Sequence, residues 1–369
     1  MRHLPHSDAA RRDADAPRGS ALIVAIWILG LLSLLISSFA FDMRLEAHLT
    51  TYYRNRLKAE YLARAGVEKV KLLLTKSAEL QKKPADLQTS STGSDDEKKP
   101  WYAPAKRLAQ GLAVQGLSEE LGEGTVRVDV VPEPARRNIN MLSTDDVPTR
   151  DNWDRLLELG GVPEEKRGAL MESFFDWVDI DNEPKPYGAE TDDYYGTLKP
   201  PYHAKNGPLD TVEELLLIKG FTKEILFGGL PPDAKEGDAP YTGIADILTV
   251  YGNNQVNVNA ASARVLMSLP VIDGDEALAN DIIREREGLT PGDQKGEDKY
   301  FKSPDDFFMR FPELSQRRGE LAPYVTTVSG IYRISCIGSV HGVERGIWAI
   351  VSYDGAEMKV LRWWEQETR

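Results

Sequence analysis

The chain has 369 residues, 58 of them acidic against 45 basic, and a formal charge of −13. With 41% hydrophobic and 28% charged residues it has a globular composition and enough length for two or three domains, which excludes a wholly disordered or fibrous chain. The acid excess argues against a general nucleic-acid binder, and a single cysteine, Cys336, excludes an intramolecular disulfide framework and any four-cysteine metal site.

The first informative element is residues 20–41, SALIVAIWILGLLSLLISSFAF, which carry no charge. As a helix this segment is about 33 Å long, enough to cross a bilayer core of ~30 Å. It is too long for the apolar core of a signal peptide, no small-residue processing site follows it, and it has no polar face to present to water. Arg11, Arg12 and Arg18 precede it and suit a cytoplasmic N-terminus. Residues 42–77 lack proline and continue as an amphipathic helix, so one helix is predicted from about Ala21 to Leu74. Its expected apolar stripe is read from the mixed but mostly helical spacing of Leu49, Tyr52, Tyr53, Arg56, Ala59, Tyr61, Leu62, Ala63 and Leu72 to Leu74.

An Arg18-Gly19 pair, a short mature end and an apolar helix running into an amphipathic one resemble a type IV prepilin-like N-terminus. The resemblance implies cleavage at Gly19–Ser20 by a prepilin peptidase, with residues 1–19 as the removed leader. Most members of that family carry glutamate at the fifth mature residue, where this chain has Val24. In that departure, and in the stretch RLKAEYLARAGVEKV, the chain is similar to the K-type minor pseudopilins of the type II (general) secretion system. A carboxylate inside lipid is costly without a partner. The resemblance implies that a subunit with Val24 has no such acid to offer a subunit beneath it, and that it occupies the filament tip.

Residues 78–100 read as a polar loop, followed by a short helix at about 103–114. Residues 124–131, GTVRVDVV, alternate as a half-buried strand. Asn138-Ile139-Asn140 then matches an Asn-x-Asn of the K-type family. From 150 to 250 the pattern is helical, with segments at 152–159, 164–178, 211–218 and 242–248, and it resembles the helical domain which that family inserts. Residues 215–226 and 256–288 look like helix-hairpin-helix units. Asp273, Asp275 and Glu276 at the second hairpin repel phosphate, so compact packing is expected rather than DNA binding.

Residues 176–195, DWVDIDNEPKPYGAETDDYY, concentrate carboxylates on a turn-rich loop. By themselves they allow two readings, a solvated acidic loop or an oxygen-ligand site for a hard cation. An EF-hand fit fails because the glycine and the closing glutamate fall at the wrong spacing. The loop looks like the calcium loop of the K-type family, which implies one or two calcium ions with Asp179, Asp181, Glu190 and Asp193 as ligands and backbone carbonyls completing the shell. Asp176 is expected to cap or to face solvent. Phe174, Phe175 and Trp177 are expected in the core, and Tyr187, Tyr194, Tyr195 and Tyr202 either cover the loop or stand exposed for recognition.

KSPDDFFMRFPEL (302–314) is a capped helix, and 325–340, 343–354 and 358–365 are strands joined by turns at His341-Gly342 and Asp354-Gly355. With 124–131 they make an antiparallel sheet for the amphipathic helix, with a buried Cys336 and some of Trp348, Trp363 and Trp364 in the core. The expected class is α+β: a pilin-like long N-terminal helix on an antiparallel sheet, with a large inserted all-helical domain. The expected divisions are leader 1–19, transmembrane segment 20–41, periplasmic half-helix 42–77, first pilin-like part 78–145, helical insert 146–250, and a helix-hairpin-like segment with the C-terminal strands at 251–369.

No P-loop, dinucleotide fingerprint, nucleophile elbow or HExxH motif occurs, so no enzyme is expected. The resemblance implies a structural subunit at the tip of a periplasmic pseudopilus, supporting export of folded proteins across the outer membrane. Its implied partners are the I-type and J-type minor pseudopilins, the major pseudopilin below the tip, the prepilin peptidase and the inner membrane, with secreted substrate or the outer-membrane channel as further contacts. A tip protein of a type IV pilus and an unprocessed anchored binding protein are the rival readings.

Overall fold

The computed structural model describes residues 20–82, 96–232, 234–235, 237, 239–288 and 299–366. The expected leader with Gly19 and most of the loop expected at 78–100 lie outside them. The chain divides into two compact units, one up to Lys58 and one from Ala59 onward. A single helix, α1 (Ser20–Gln81), belongs to both.

In the first unit α1 is apolar on every side over residues 21–41. Leu22, Ile23, Val24, Trp27, Leu35 and Phe39 are all exposed, and the segment is long and apolar enough to cross a membrane. Leu49, Tyr52 and Tyr53, expected in the packed stripe, are exposed as well, and so are Tyr61 and Leu72 of the second unit, which lie off its buried face. A period of 3.6 marks a face without saying how far a partner surface extends along it.

In the second unit the buried face of α1 is Ala59, Ala63, Gly66, Val67, Val70, Leu73 and Leu74. This face meets a five-stranded antiparallel sheet formed by β1 (Val114–Leu121), β2 (Gly124–Pro132), β3 (Ile331–Val340), β4 (Val343–Tyr353) and β5 (Met358–Gln366), in the order β1-β2-β3-β4-β5. Strand β3 alternates strictly, burying Tyr332, Ile334, Cys336 and Val340. Burial pushes the Cys336 thiol up to about 12, an inert state. Helix and sheet meet at backbone distance. A Cβ on Gly338 would overlap the Ala59 carbonyl, and one on Gly66 would stand 3.0 Å from both Cys336 Cβ and Val126 Cγ2.

Two features differ from expectation. Strand β1 replaces the end of the helix expected to 114; the helix is shorter (α2, Tyr102–Ala109). Only Val114 of β1 is buried, so this edge strand carries no alternating apolar signal, and its pairing is irregular between Val114 and Leu117. The three tryptophans expected to supply core residues are half-buried (Trp348, Trp364) or exposed (Trp363).

The chain between β2 and β3 builds a second core. Helix α3 (Val147–Leu159) starts at Asp146, whose Oδ1 accepts the Thr149 N–H at 2.8 Å, and α4 (Glu164–Val178) packs against it. Trp153 and Phe174 stack at 4.5 Å in a core that continues through Leu215, Leu266, Ile282 and Phe307. The segment expected as a helix at 211–218 is a tighter 3-10 turn, Val212–Leu217. The Asn138-Ile139-Asn140 motif recurs as Asn257-Val258-Asn259. In each, the first Asn side chain accepts the N–H two residues on at 3.0 Å. Each motif also adjoins a two-residue parallel ladder, 137–138 with 248–249 and 256–257 with 325–326.

Gly338→Val should destabilise the second unit by about 3 kcal/mol or more, because the overlap is with backbone and no side chain can yield. Gly168→Ala, in an open position of α4, should stabilise it by roughly 0.5–1 kcal/mol. Thermal unfolding of the two variants in detergent, followed by circular dichroism, should shift the midpoint in opposite directions.

Candidate metal centre

The last turn of α4 is apolar toward the core and acidic toward the loop that follows it. Phe174, Phe175 and Trp177 are buried, and Trp177 meets Tyr195 edge-on at 5.0 Å. Tyr194 and Tyr202 pack around Tyr195, so these three cover the loop, while Tyr187 is exposed. Three residues along α4 from Ser173, and on the same side as Asp179, sits Asp176, which has no exposed surface.

The loop after α4 is folded by its own polar groups. Asp181 Oδ1 accepts the Glu183 N–H at 2.9 Å, and Asp176 Oδ2 accepts the Lys185 N–H at 3.0 Å. The chain then passes over Asp176 so closely that a Cβ on Gly188 would overlap Asp176 Oδ2. Asn206 clamps the far side, donating from Nδ2 to the Asp181 carbonyl at 3.0 Å.

These contacts bring Asp179, Asp181 and Glu190 together, with one carboxylate oxygen of each within 4.8 Å of the others. Glu190 is completely buried and, among the described residues, both its oxygens lack a hydrogen-bond partner. Asp179 Oδ1 and Asp176 Oδ1 are likewise buried without one. Orphaned carboxylate oxygens are costly in a protein interior. The charge is reflected in the protonation equilibria. Desolvation, reinforced by Asp176 and Asp179, pushes Glu190 up to about 7. Burial also raises Asp176 and Asp179, against the opposing pull of Lys185.

The donor set is all oxygen and strongly anionic, which fits a hard divalent cation and no soft one. Three of the four expected ligands converge. Asp193 is not part of the cluster; its Oδ1 accepts the Glu190 N–H at 2.7 Å and so positions Glu190. Asp176, expected to cap or face solvent, instead lies buried beside the cluster. Its place at the i−3 position from Asp179 was the available signal, because both then share a helix side. Val24 lies on the exposed apolar part of α1, Ser20 begins the described helix, and Gly19 is outside the described residues.

The family model for "Type II secretion system (T2SS), protein K" matches residues 135–228, which include the acidic loop. The chain is 24% identical over 260 residues to a "Putative type II secretion system protein K" of Escherichia coli (strain K12), covering 68% of this chain and 74% of the relative. It is 29% identical over 209 residues to a "Type II secretion system protein K" of Pseudomonas aeruginosa, and 29% over 210 residues to one of Klebsiella pneumoniae. It spans 54% and 58% of the length of those two relatives. Among solved structures, the fold resembles a chain of the GspK-GspI-GspJ complex from the type 2 secretion system of enterotoxigenic Escherichia coli. The TM-score is 0.54 at 14% identity, over 89% of this chain and 100% of that one.

Without metal, the folded state holds the Glu190 proton up to about pH 7, whereas the unfolded chain releases it near 4.5. Stability of the metal-free chain should therefore fall as pH rises from about 4.5 to 7, by about 3 kcal/mol from this residue. Glu190→Gln should flatten that dependence, raise the metal-free thermal midpoint at pH 7.5, and remove the stabilisation conferred by added calcium. Thermal scans across pH, with chelator and with calcium chloride, measure all three.

Proposed function

Since this chain belongs to the type II secretion system protein K family, we propose that it is a structural minor pseudopilin and not an enzyme. The inner membrane holds the apolar part of α1, with the N-terminus in the cytoplasm and the domains in the periplasm. A prepilin peptidase removes residues 1–19 at Gly19–Ser20. The mature subunit joins I-type and J-type minor pseudopilins at the tip of the pseudopilus, above the major pseudopilin, and supports export of folded proteins across the outer membrane.

The observation that carries this reading is the sequence and surface of α1 before Ala59. This part of the helix is apolar on all sides over residues 21–41, where neither lysine, arginine nor a carboxylate occurs, and Leu49, Tyr52, Tyr53 and Leu57 remain exposed beyond it. Helices with such surfaces are held by lipid or by like helices. Val24 leaves this subunit without an intramembrane acid to pair with a subunit beneath it, which suits the terminal position.

In the periplasmic domain the acidic loop binds calcium, as one or two ions, through Asp179, Asp181 and Glu190 with backbone carbonyls, and Asp193 holds Glu190 in place. The ion supplies charge neutralisation at a partly buried oxygen cluster and fixes the loop. Millimolar calcium outside the cytoplasm is sufficient for a site of modest affinity.

Gly19→Leu should leave the chain at its full length, while the wild type loses residues 1–19, as read by intact mass and N-terminal sequencing. Detergent-solubilised wild type should co-purify with I-type and J-type partners, and deletion of the gene should stop exoprotein release. Unaltered processing of Gly19→Leu, or normal secretion in the deletion strain, would sink this reading.

A further inference from the structure

We propose that Lys185 is the internal counter-cation of the acidic loop: its ammonium stands in for the metal in the metal-free chain, and it opposes metal entry and so sets the affinity of the site. This rests on the calcium reading above and adds to it a residue that tunes the site without ligating. The Lys185 Nζ lies 3.1 Å from Asp179 Oδ2 and 3.4 Å from Asp176 Oδ1, on the flank of the group formed by Asp179, Asp181 and Glu190. The ammonium thus pairs with two carboxylates, and one of them, Asp179, belongs to the group that also holds Asp181 and Glu190. Two other lysines of this region are engaged elsewhere: Lys219 Nζ donates to the Gly188 carbonyl at 2.8 Å, and Lys205 Nζ pairs with Asp210 and Glu214, each at 2.8 Å.

The geometry separates what Lys185 does with its backbone from what it does with its side chain. The backbone N–H is fixed to Asp176 Oδ2, so the loop keeps its path whatever the side chain does. The side chain is about a quarter exposed, and its flexible four-carbon stem lets the ammonium swing to solvent while the backbone stays. Asp179 is the shared group. Its Oδ2 accepts from Lys185, and its Oδ1 is buried without a hydrogen-bond partner among the described residues, as are both oxygens of Glu190 in the same group. A divalent ion drawn to Asp179 Oδ1 and Glu190 meets a positive charge one carboxylate away. Coulomb repulsion at that range, even with the ammonium rotated into water, is worth about tenfold in affinity. The same charge lowers the repulsion among the carboxylates when no ion is bound, so it protects the metal-free fold and weakens metal binding together.

The test uses the full chain in detergent, stripped with chelator and titrated with calcium chloride by calorimetry, alongside thermal scans. Lys185→Met should bind calcium about tenfold more tightly than wild type. Its metal-free midpoint should fall while its calcium-saturated midpoint matches wild type. Lys185→Arg, which keeps the charge, should retain wild-type affinity. If Lys185→Met does not fold without calcium, Lys185→Gln gives the same readings with a polar side chain in place of the methionine. Binding by a neutral variant with none by wild type also supports the proposal. Equal affinity in wild type and the neutral variants, or a loss in the neutral variants, overturns it while leaving the calcium reading intact. Absence of calcium binding by wild type and by every variant overturns the calcium reading and this proposal with it.

Discussion

The fold of the second unit depends on how closely α1 approaches the sheet. Ala59, Ala63 and Gly66 on the helix face Gly338 and Cys336 on β3, and the separation is set by backbone atoms, not by long side chains. Dense contact of this kind gains dispersion energy over many small atoms and tolerates almost no added volume. Below the small residues, Val67, Val70, Leu73 and Leu74 fill the space over Val126, Val128 and Ile334 with ordinary apolar bulk. The helix is therefore anchored by shape at one end of its packed stretch and by area at the other.

Two buried glutamates show how differently this chain treats charge. Glu133, at the end of β2, accepts two hydrogen bonds from Arg333 of β3 at 2.9 and 2.8 Å and one from Thr249 Oγ1 at 2.6 Å. It is fully satisfied, and it ties the sheet to the 248–249 ladder of the helical region. Glu190 is equally buried and has no side-chain partner. Breaking a paired charge is expensive, and leaving one unpaired from the outset is expensive for the same reason. The contrast makes Glu133 a structural fastener and Glu190 a group held ready for a cation, with Asp193 and Gly188 shaping its surroundings.

The inserted region supports that loop from beneath. Trp177, Tyr195 and Tyr202 pack against one another beside the loop, and the Trp177 carbonyl accepts the Asn206 N–H at 3.0 Å. The repeated Asn-x-Asn arrangement, each copy beside its own short parallel ladder, gives the region two similarly built halves around one apolar core.

Much of this was legible in local pattern. An uncharged run of residues, a strand alternating Val126, Val128 and Val130, and a loop crowded with aspartates each state their physics within a few positions, so the apolar first stretch of α1, the pilin-like class and three of the converging carboxylates followed from the sequence. What the tertiary structure decided is non-local. The exposure of Leu49 and Tyr52 depends on where the partner surface ends, and strand β1 exists because β2 offers it hydrogen bonds, not because its own residues alternate. Asp176 became a buried neighbour of the ion cluster because Gly188 lets the chain fold over it, and Asp193 was drawn away to hold the Glu190 N–H. Sequence records what each residue can do; which oxygen faces which is set by chain crossings and by the satisfaction of buried polar groups, and those exist only in the folded molecule.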